Sequence, residues 1–410
     1  MTFKILSLDG GGMRGIISAR ILQEVERQVQ EKEGKPLHQY FDLIAGTSTG
    51  SILTAGIATG KPTQELINLY KEQGIIIFPP RALPPFLQNI SDFFWPSKYT
   101  HEGLIKALSK KLGEIKISDS KIKHPMILIL AYDLLYRNTT FFTNCHPDIG
   151  ARWYDDTPLW EICVSSSSAP TYVPPYLLKP YNTEKFGNWS FPHIDGGVSA
   201  NNPSLAAISL ALRISQNPDV PLEIKQEYKL DNLKLEDISV LSVSTGRSGE
   251  PYLYEEAKEW KPLDWAQKIV DVFMEPNAEI SSTICRQIMG GWSSKRFLRL
   301  EFELNERFKT KAKDPEKETY RDTRELVGKD RRINRFTEKK LSEAIDDATN
   351  QYINDALEAA KAYLEKGCTY YTRNDCGPLV RDAIADFIQA NKEPEKSPET
   401  PESTESQTPS

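Results

Sequence analysis

The strongest constraint on the fold is one pattern that occurs twice near the N-terminus: a short apolar run, a glycine-rich turn, then a helix. Phe3 to Leu8 is apolar and runs into Asp9-Gly10-Gly11-Gly12-Met13-Arg14-Gly15. A helix follows from about Ile16 to Glu33, with Ile17, Ile21, Val25 and Val29 recurring on one face. Phe41 to Ala45 repeats the pattern. It leads through Gly46-Thr47-Ser48-Thr49-Gly50 into an apolar helix from Ser51 to about Ala58, closed by Gly60 and Pro62. Two consecutive units of this kind predict parallel strands joined by crossover helices, and so an α/β sheet.

Further strands are expected at Met126–Ala131, Thr140–Thr143, Ile238–Ser244 and Arg296–Phe302. The first and third are nearly continuous apolar runs, as strands covered on both faces should be. Thr337 to Lys366 reads as helical with Thr337 as its N-cap, and Gly377 to Asn391 holds a last short helix. The expected organisation is one domain over residues 1–390, with its motifs in 3–250 and a helical extension over about 251–390. Residues 391–410, rich in Pro, Ser, Thr and Glu, form a disordered tail.

Composition removes several classes of function. The net charge is −6 and the Lys and Arg residues are scattered, so the basic stripe that a nucleic acid requires is absent. Five cysteines, widely spaced and without a CxxC pair, suggest reduced buried thiols, with no metal site and no cofactor. No stretch approaches 18 uninterrupted apolar residues, and the opening MTFKILSLDGGG lacks a signal-peptide pattern, so a cytoplasmic location is expected. Oligomeric state leaves no trace in the sequence.

The chemistry concentrates in the two turns. G-x-S-x-G between an apolar strand and an apolar helix is the setting of a nucleophile elbow, with Gly46 and Gly50 allowing a sharp turn around Ser48. The first turn satisfies G-x-G-x-x-G through Gly10, Gly12 and Gly15, so a dinucleotide site is the rival reading. That rival expects an acid at the end of the second strand, where Ala45 and Gly46 stand instead. The preferred role is an oxyanion hole built from N–H groups around Gly11 and Gly12, with Arg14 steadying the loop, attracting an anionic head group, or lying solvated on the surface.

A nucleophilic serine needs a base. Of the five histidines only His146 and His193 are placed to be considered, and none follows residue 193. The alternative base is Asp195, where Gly196 and Gly197 turn the chain and expose a carboxylate at a strand end. A carboxylate with an ordinary pKa of roughly 3.9 is a poor partner for a hydroxyl, so a desolvated site that raises its basicity is expected.

Five blocks in order, namely DGGGMRG, GTSTG, SSSSAPTYVPPY (Ser165–Tyr176), DGGVSANNP (Asp195–Pro203) and VLSVSTGR (Val240–Arg247), resemble those of the patatin-like phospholipase family. The resemblance covers about residues 3 to 250. It implies a three-layer α/β fold, a central, mostly parallel sheet flanked by helices akin to the catalytic domain of cytosolic phospholipase, and a Ser-Asp dyad without histidine, here Ser48 and Asp195. It also implies an oxyanion hole in the Gly10–Gly15 loop and a lipid acyl ester as substrate, met at a membrane surface. A dinucleotide-binding protein and a non-catalytic storage or interaction protein of the same fold are the alternatives. Gly74 to Tyr99, with five prolines and many Ile, Phe, Leu and Trp residues, reads as a loop that either packs on the domain or dips into lipid with Trp95 at the interface.

Overall fold

The computed structural model describes residues 2–79, 97–119, 122, 124–148, 150–248, 252, 254–307, 332–370 and 376–392. Eight strands build the central sheet: β1 (Phe3–Leu8), β2 (Leu43–Thr47), β3 (Met126–Asp133), β4 (Asn138–Thr143), β5 (Tyr176–Leu178), β6 (Phe191–Asp195), β7 (Ile238–Val243) and β8 (Phe297–Leu300). Their order is β5-β6-β3-β2-β1-β7-β8, with β4 also paired to β3. From β3 to β8 neighbours run parallel, whereas β4 and β6 join β3 antiparallel. The fold is therefore a mixed sheet flanked by helices, of the α/β class that the repeated N-terminal unit predicts.

Alternation along the strands sorts side chains between the layers. On one face, Leu6 and Leu8 of β1, Ile44 of β2 and Val243 of β7 pack on three helices, α1 (Gly15–Glu33), α8 (Asn350–Lys366) and α9 (Val380–Ala390). On the other, Phe3, Ile5, Leu43 and Ala45 meet α6 (Ser204–Gln216) and the end of α7 (Pro262–Ile288). Around β3, Ile127, Ile129 and Ala131 face α4 (Glu102–Leu112) and α5 (Leu159–Ser166). Each fully buried Ile or Leu contributes about 1.5–3 kcal/mol, so all three layers are needed for the fold to close.

Pairing along β3 fixes where the ends of β2 and β6 converge. β2 pairs with Met126–Leu130, β4 with Leu128–Asp133, and β6 with Ala131–Asp133. A strand has only two edges, and β4 overlaps both of the others, so β2 and β6 share one edge of β3. They meet there head to head: Thr47 ends β2 opposite Leu130, and Asp195 ends β6 opposite Ala131.

Three expectations need correction. The C-terminal helix starts at Asn350, not Thr337; Thr349 is its cap, accepting from the Tyr352 amide, while the Thr337 amide and hydroxyl both donate to Asn334 Oδ1 in a turn. Cys368 and Cys376 are joined by a disulfide, so the five cysteines are not all thiols, although Cys145, Cys163 and Cys285 are free and buried. The loop expected from Gly74 begins later, because the helix α3 (Thr63–Ile77) continues to Ile77. Residues 80–96, including Trp95, and the tail from 393 lie outside the described residues. Among the described residues no helix is long and apolar enough to cross a membrane, and no group of acidic, His or Cys side chains is arranged to hold a metal ion.

Candidate active site

Ser48 sits between β2 and the helix α2 (Thr49–Ala58) with φ 55° and ψ −124°, a conformation that an L-residue adopts only under constraint. The expected elbow glycines explain how the turn is tolerated. A Cβ on Gly50 would lie 2.1 Å from Leu8 O of β1, and one on Gly46 would lie 2.2 Å from Gly50 O. The second turn is thereby pressed against the end of the first strand, and no side chain fits between them.

Asp195, 1% exposed, ends β6 beside Ser48, which is 5% exposed. One carboxylate oxygen, Oδ1, accepts the Gly197 amide at 2.7 Å, which gives the second glycine of the DGG turn a defined task. Oδ2 is buried and has no hydrogen-bond partner among the described residues. Burial pushes the Asp195 carboxyl up to about 6, against the Ser48 hydroxyl and the Gly197 N–H, which lower it. Oγ is thus near enough to act on the carboxyl without completing a well-formed hydrogen bond, a looseness common in unliganded sites.

The first turn supplies main-chain donors. Gly10 N–H donates to Asn201 O, Met13 N–H to Ile345 O and Arg14 N–H to Gly11 O, at 3.1, 2.7 and 3.1 Å. Gly15 N–H is taken by carbonyls at Gly12 and Met13. Of the residues assigned to the oxyanion hole, Gly11 and Gly12 are therefore left with unengaged amides among the described residues, while Gly10, Arg14 and Gly15 have theirs committed. Gly12 holds φ +58° with Ile345 O against it, where a Cβ would come within 2.1 Å.

Arg14 is not the solvated charge that one reading allowed. It is buried, 3.7 Å from Glu275, and lines a polar cavity with Asp9 and Arg299, away from the pocket of Ser48. The histidines are likewise elsewhere. His193 is buried between Thr140 Oγ1 and Phe191 O, His146 neighbours Asp148, and none lines the pocket that contains Ser48 and Asp195. That pocket is largely apolar, with Ile52, Phe78, Leu104, Tyr172, Val173 and Met274 among its walls, although Thr49, Tyr70, Thr100 and Ser167 also line it.

Several contributors lie outside the recognised motifs. Arg299 of β8 grips Asp9 with two hydrogen bonds, Nη1 to Oδ1 at 2.8 Å and Nη2 to Oδ2 at 2.5 Å, and also reaches Ser242 and Glu301. Burial raises Asp9 to about 6 in spite of that guanidinium. Asn277 of α7 accepts the Asn201 amide and donates to Gly197 O, both at 2.8 Å, and so braces the turn after Asp195. One signal was available: Arg299 interrupts the apolar run Phe297–Leu300, and a buried arginine implies a buried acid. Asn277 carried no such mark.

Comparison with known proteins bears on the family of the chain. The Patatin-like phospholipase family profile matches residues 6–208. Patatin-like protein 1 of Arabidopsis thaliana is 32% identical over 72% of this chain and 73% of its own length. Probable inactive patatin-3-Kuras 1 of Solanum tuberosum is 33% identical over 64% and 68% respectively, and patatin-15 of the same species 32% over 64% and 66%. Among solved structures, VipD from Legionella pneumophila is 11% identical over 77% of this chain and 63% of that one, with a TM-score of 0.30, too slight a likeness to argue from. Sequence identity at this level over most of a relative's length settles kinship: the chain belongs to the patatin-like phospholipase family.

Proposed function

We propose that the protein is a lipid acyl hydrolase working through a Ser48–Asp195 dyad, an acyl-enzyme intermediate and an oxyanion hole in the glycine loop. The observation that carries this reading is the head-to-head arrival of β2 and β6 on one edge of β3, which sets a strained serine beside a desolvated carboxylate at an apolar pocket. Ser48 Oγ attacks the ester carbonyl carbon while its proton passes to Asp195 Oδ2, the oxygen with no other partner. The Gly11 and Gly12 amides take the negative charge of the tetrahedral intermediate. On its collapse the leaving alcohol takes the proton from Asp195, and the acyl group stays on Ser48. Water, deprotonated by the same carboxylate, then releases the fatty acid and restores the serine.

A fluorophosphonate probe tests the dyad: labelling that persists in Ser48→Ala would refute it. Hydrolysis of a panel of defined phospholipids, galactolipids and neutral lipids then identifies the substrate. The dinucleotide reading loses support because Asn201 O, Thr245 and Ile345 O already occupy the surroundings of the glycine loop. A non-catalytic reading draws on the relative whose name marks it inactive, whereas the presence of both Ser48 and Asp195 favours catalysis.

Action at a lipid surface is supported by α7. Met274 of this helix lines the pocket, while Phe273, Ile280 and Ile284 are exposed on its outer side. Phe273→Glu should lower turnover of vesicle lipid more than turnover of a soluble ester, and equal losses would count against the surface.

A further inference from the structure

We propose that Ser166 is a positioning residue for acyl transfer, tying the nucleophile and the base to the same strand of the sheet. The proposal rests on the dyad reading above. Ser166 is the last residue of α5 and is completely buried. Its hydroxyl donates to Leu130 O of β3 at 2.6 Å and accepts the amide of Ser48 at 2.9 Å. The strained residue of the elbow is thus anchored through one side chain to the β3 rung that faces Thr47.

The same short segment holds the base. Asp195 N–H donates to Ser168 O at 2.9 Å, and Gly196 N–H to Ser166 O at 3.3 Å. Gly196 presses on the carbonyl that Ser166 binds, since a Cβ there would lie 2.2 Å from Leu130 O. Leu130 O is therefore a post at which three segments meet: the elbow through Ser166, the end of α5, and the turn after Asp195. None of these contacts reaches the reacting atoms. Their consequence is that Oγ and Oδ2 keep a fixed separation when the site is empty, and the Ser48 amide is committed to the frame instead of the oxyanion.

Four serines in a row obscure this task, and the neighbour supplies the control. Ser165 is equally buried, yet its hydroxyl bonds only to Ile162 O within its own helix. Ser166→Ala should lower kcat on a soluble short-chain ester about 10- to 100-fold with KM little changed, as expected when reacting groups are misplaced by a fraction of an ångström. Phosphonylation of Ser48 should slow by the same factor, and Ser165→Ala should keep wild-type values for both. Equal kcat in the two variants, or a KM change without a kcat change, overturns the proposal. Should Ser166→Ala not fold, Ser166→Cys keeps the shape with a weak hydrogen-bonding group and should show the same loss. Failure of both to fold makes Ser166 a structural residue and also overturns it. Ser48→Ala measured alongside separates the two ideas: a dead Ser48→Ala with a normal Ser166→Ala removes only the positioning role, whereas a live Ser48→Ala removes the dyad itself.

Discussion

The turn after β1 and the turn after β2 follow the same strand–glycine–helix pattern and touch each other at Gly50 and Leu8, yet they are held in opposite ways. The β2 turn is tight and strained, with a side chain at its tip, and its nearest supports are Gly46, Gly50 and the hydroxyl of Ser166. The β1 turn presents backbone, and its supports come from far along the chain: Asn201, Thr245, Arg299 and Ile345. On the proposed mechanism the difference follows from the task. A nucleophile needs one atom pushed forward, and local strain achieves that. An oxyanion hole needs N–H groups left unbonded, so the loop cannot satisfy itself and other segments must hold it by its remaining groups.

The largest effects should come from the tip of the strained turn and its partner. Ser48→Ala and Asp195→Asn are each expected to cost about a thousandfold or more in kcat, and together scarcely more than either alone, because residues that act as a unit are not additive. Additive losses in the double variant would show that the two side chains work independently. The pH profile sharpens the same point. With its carboxyl raised to about 6, Asp195 is a base only when ionised, so kcat/KM should fall roughly tenfold per pH unit below that value. Stability should move the other way. A carboxyl raised above its ordinary value of 3.8 favours the folded state while protonated, and that contribution is lost as pH rises from about 4 to about 6. Asp195→Asn should accordingly be more stable than wild type at pH 7, by about 1–3 kcal/mol, in chemical denaturation.

The β1 turn should instead break through its distant support. Arg299→Met removes both hydrogen bonds to Asp9 and leaves a buried carboxylate without its cation, which costs about 3–5 kcal/mol. The melting temperature should fall, and a wild-type value would mean that the pair is dispensable to the loop.

The same contrast governs what the sequence discloses. The elbow is legible because its requirements are local: Gly46, Ser48 and Gly50 lie within five residues, between an apolar run and an apolar helix. The glycine loop is legible as a cluster, but which amides stay open is not, since that depends on Asn201, Ile345 and the 3-10 turn at Gly12–Arg14. Asp195 was reachable by elimination of the histidines, whereas its nearness to Ser48 comes from β2 and β6 sharing an edge of β3, a fact of register that strand-forming patterns do not carry. The misplaced start of the last long helix has a similar origin. Residues 337–349 have helical composition, but Asn334 and Asn305 capture this stretch in side-chain-to-backbone bonds, and tertiary contacts override propensity there.

The smallest expected effect tests the support of the β1 turn most selectively. Thr245 donates its hydroxyl to Gly10 O at 2.8 Å, and its side chain lies where a Cβ on Gly11 would be, 2.2 Å from Oγ1. Thr245→Val preserves that shape and deletes the donor, leaving Gly10 O short of one bond at a cost of about 1 kcal/mol. If the loop is held by several remote groups acting together, kcat should drop by less than about tenfold while KM stays the same, because the Gly11 and Gly12 amides would shift only slightly from the oxyanion that the proposed mechanism assigns to them. A loss as large as that of Ser48→Ala would place the whole support of the loop in one hydroxyl, and the contrast between a locally strained turn and a distributed one would fail.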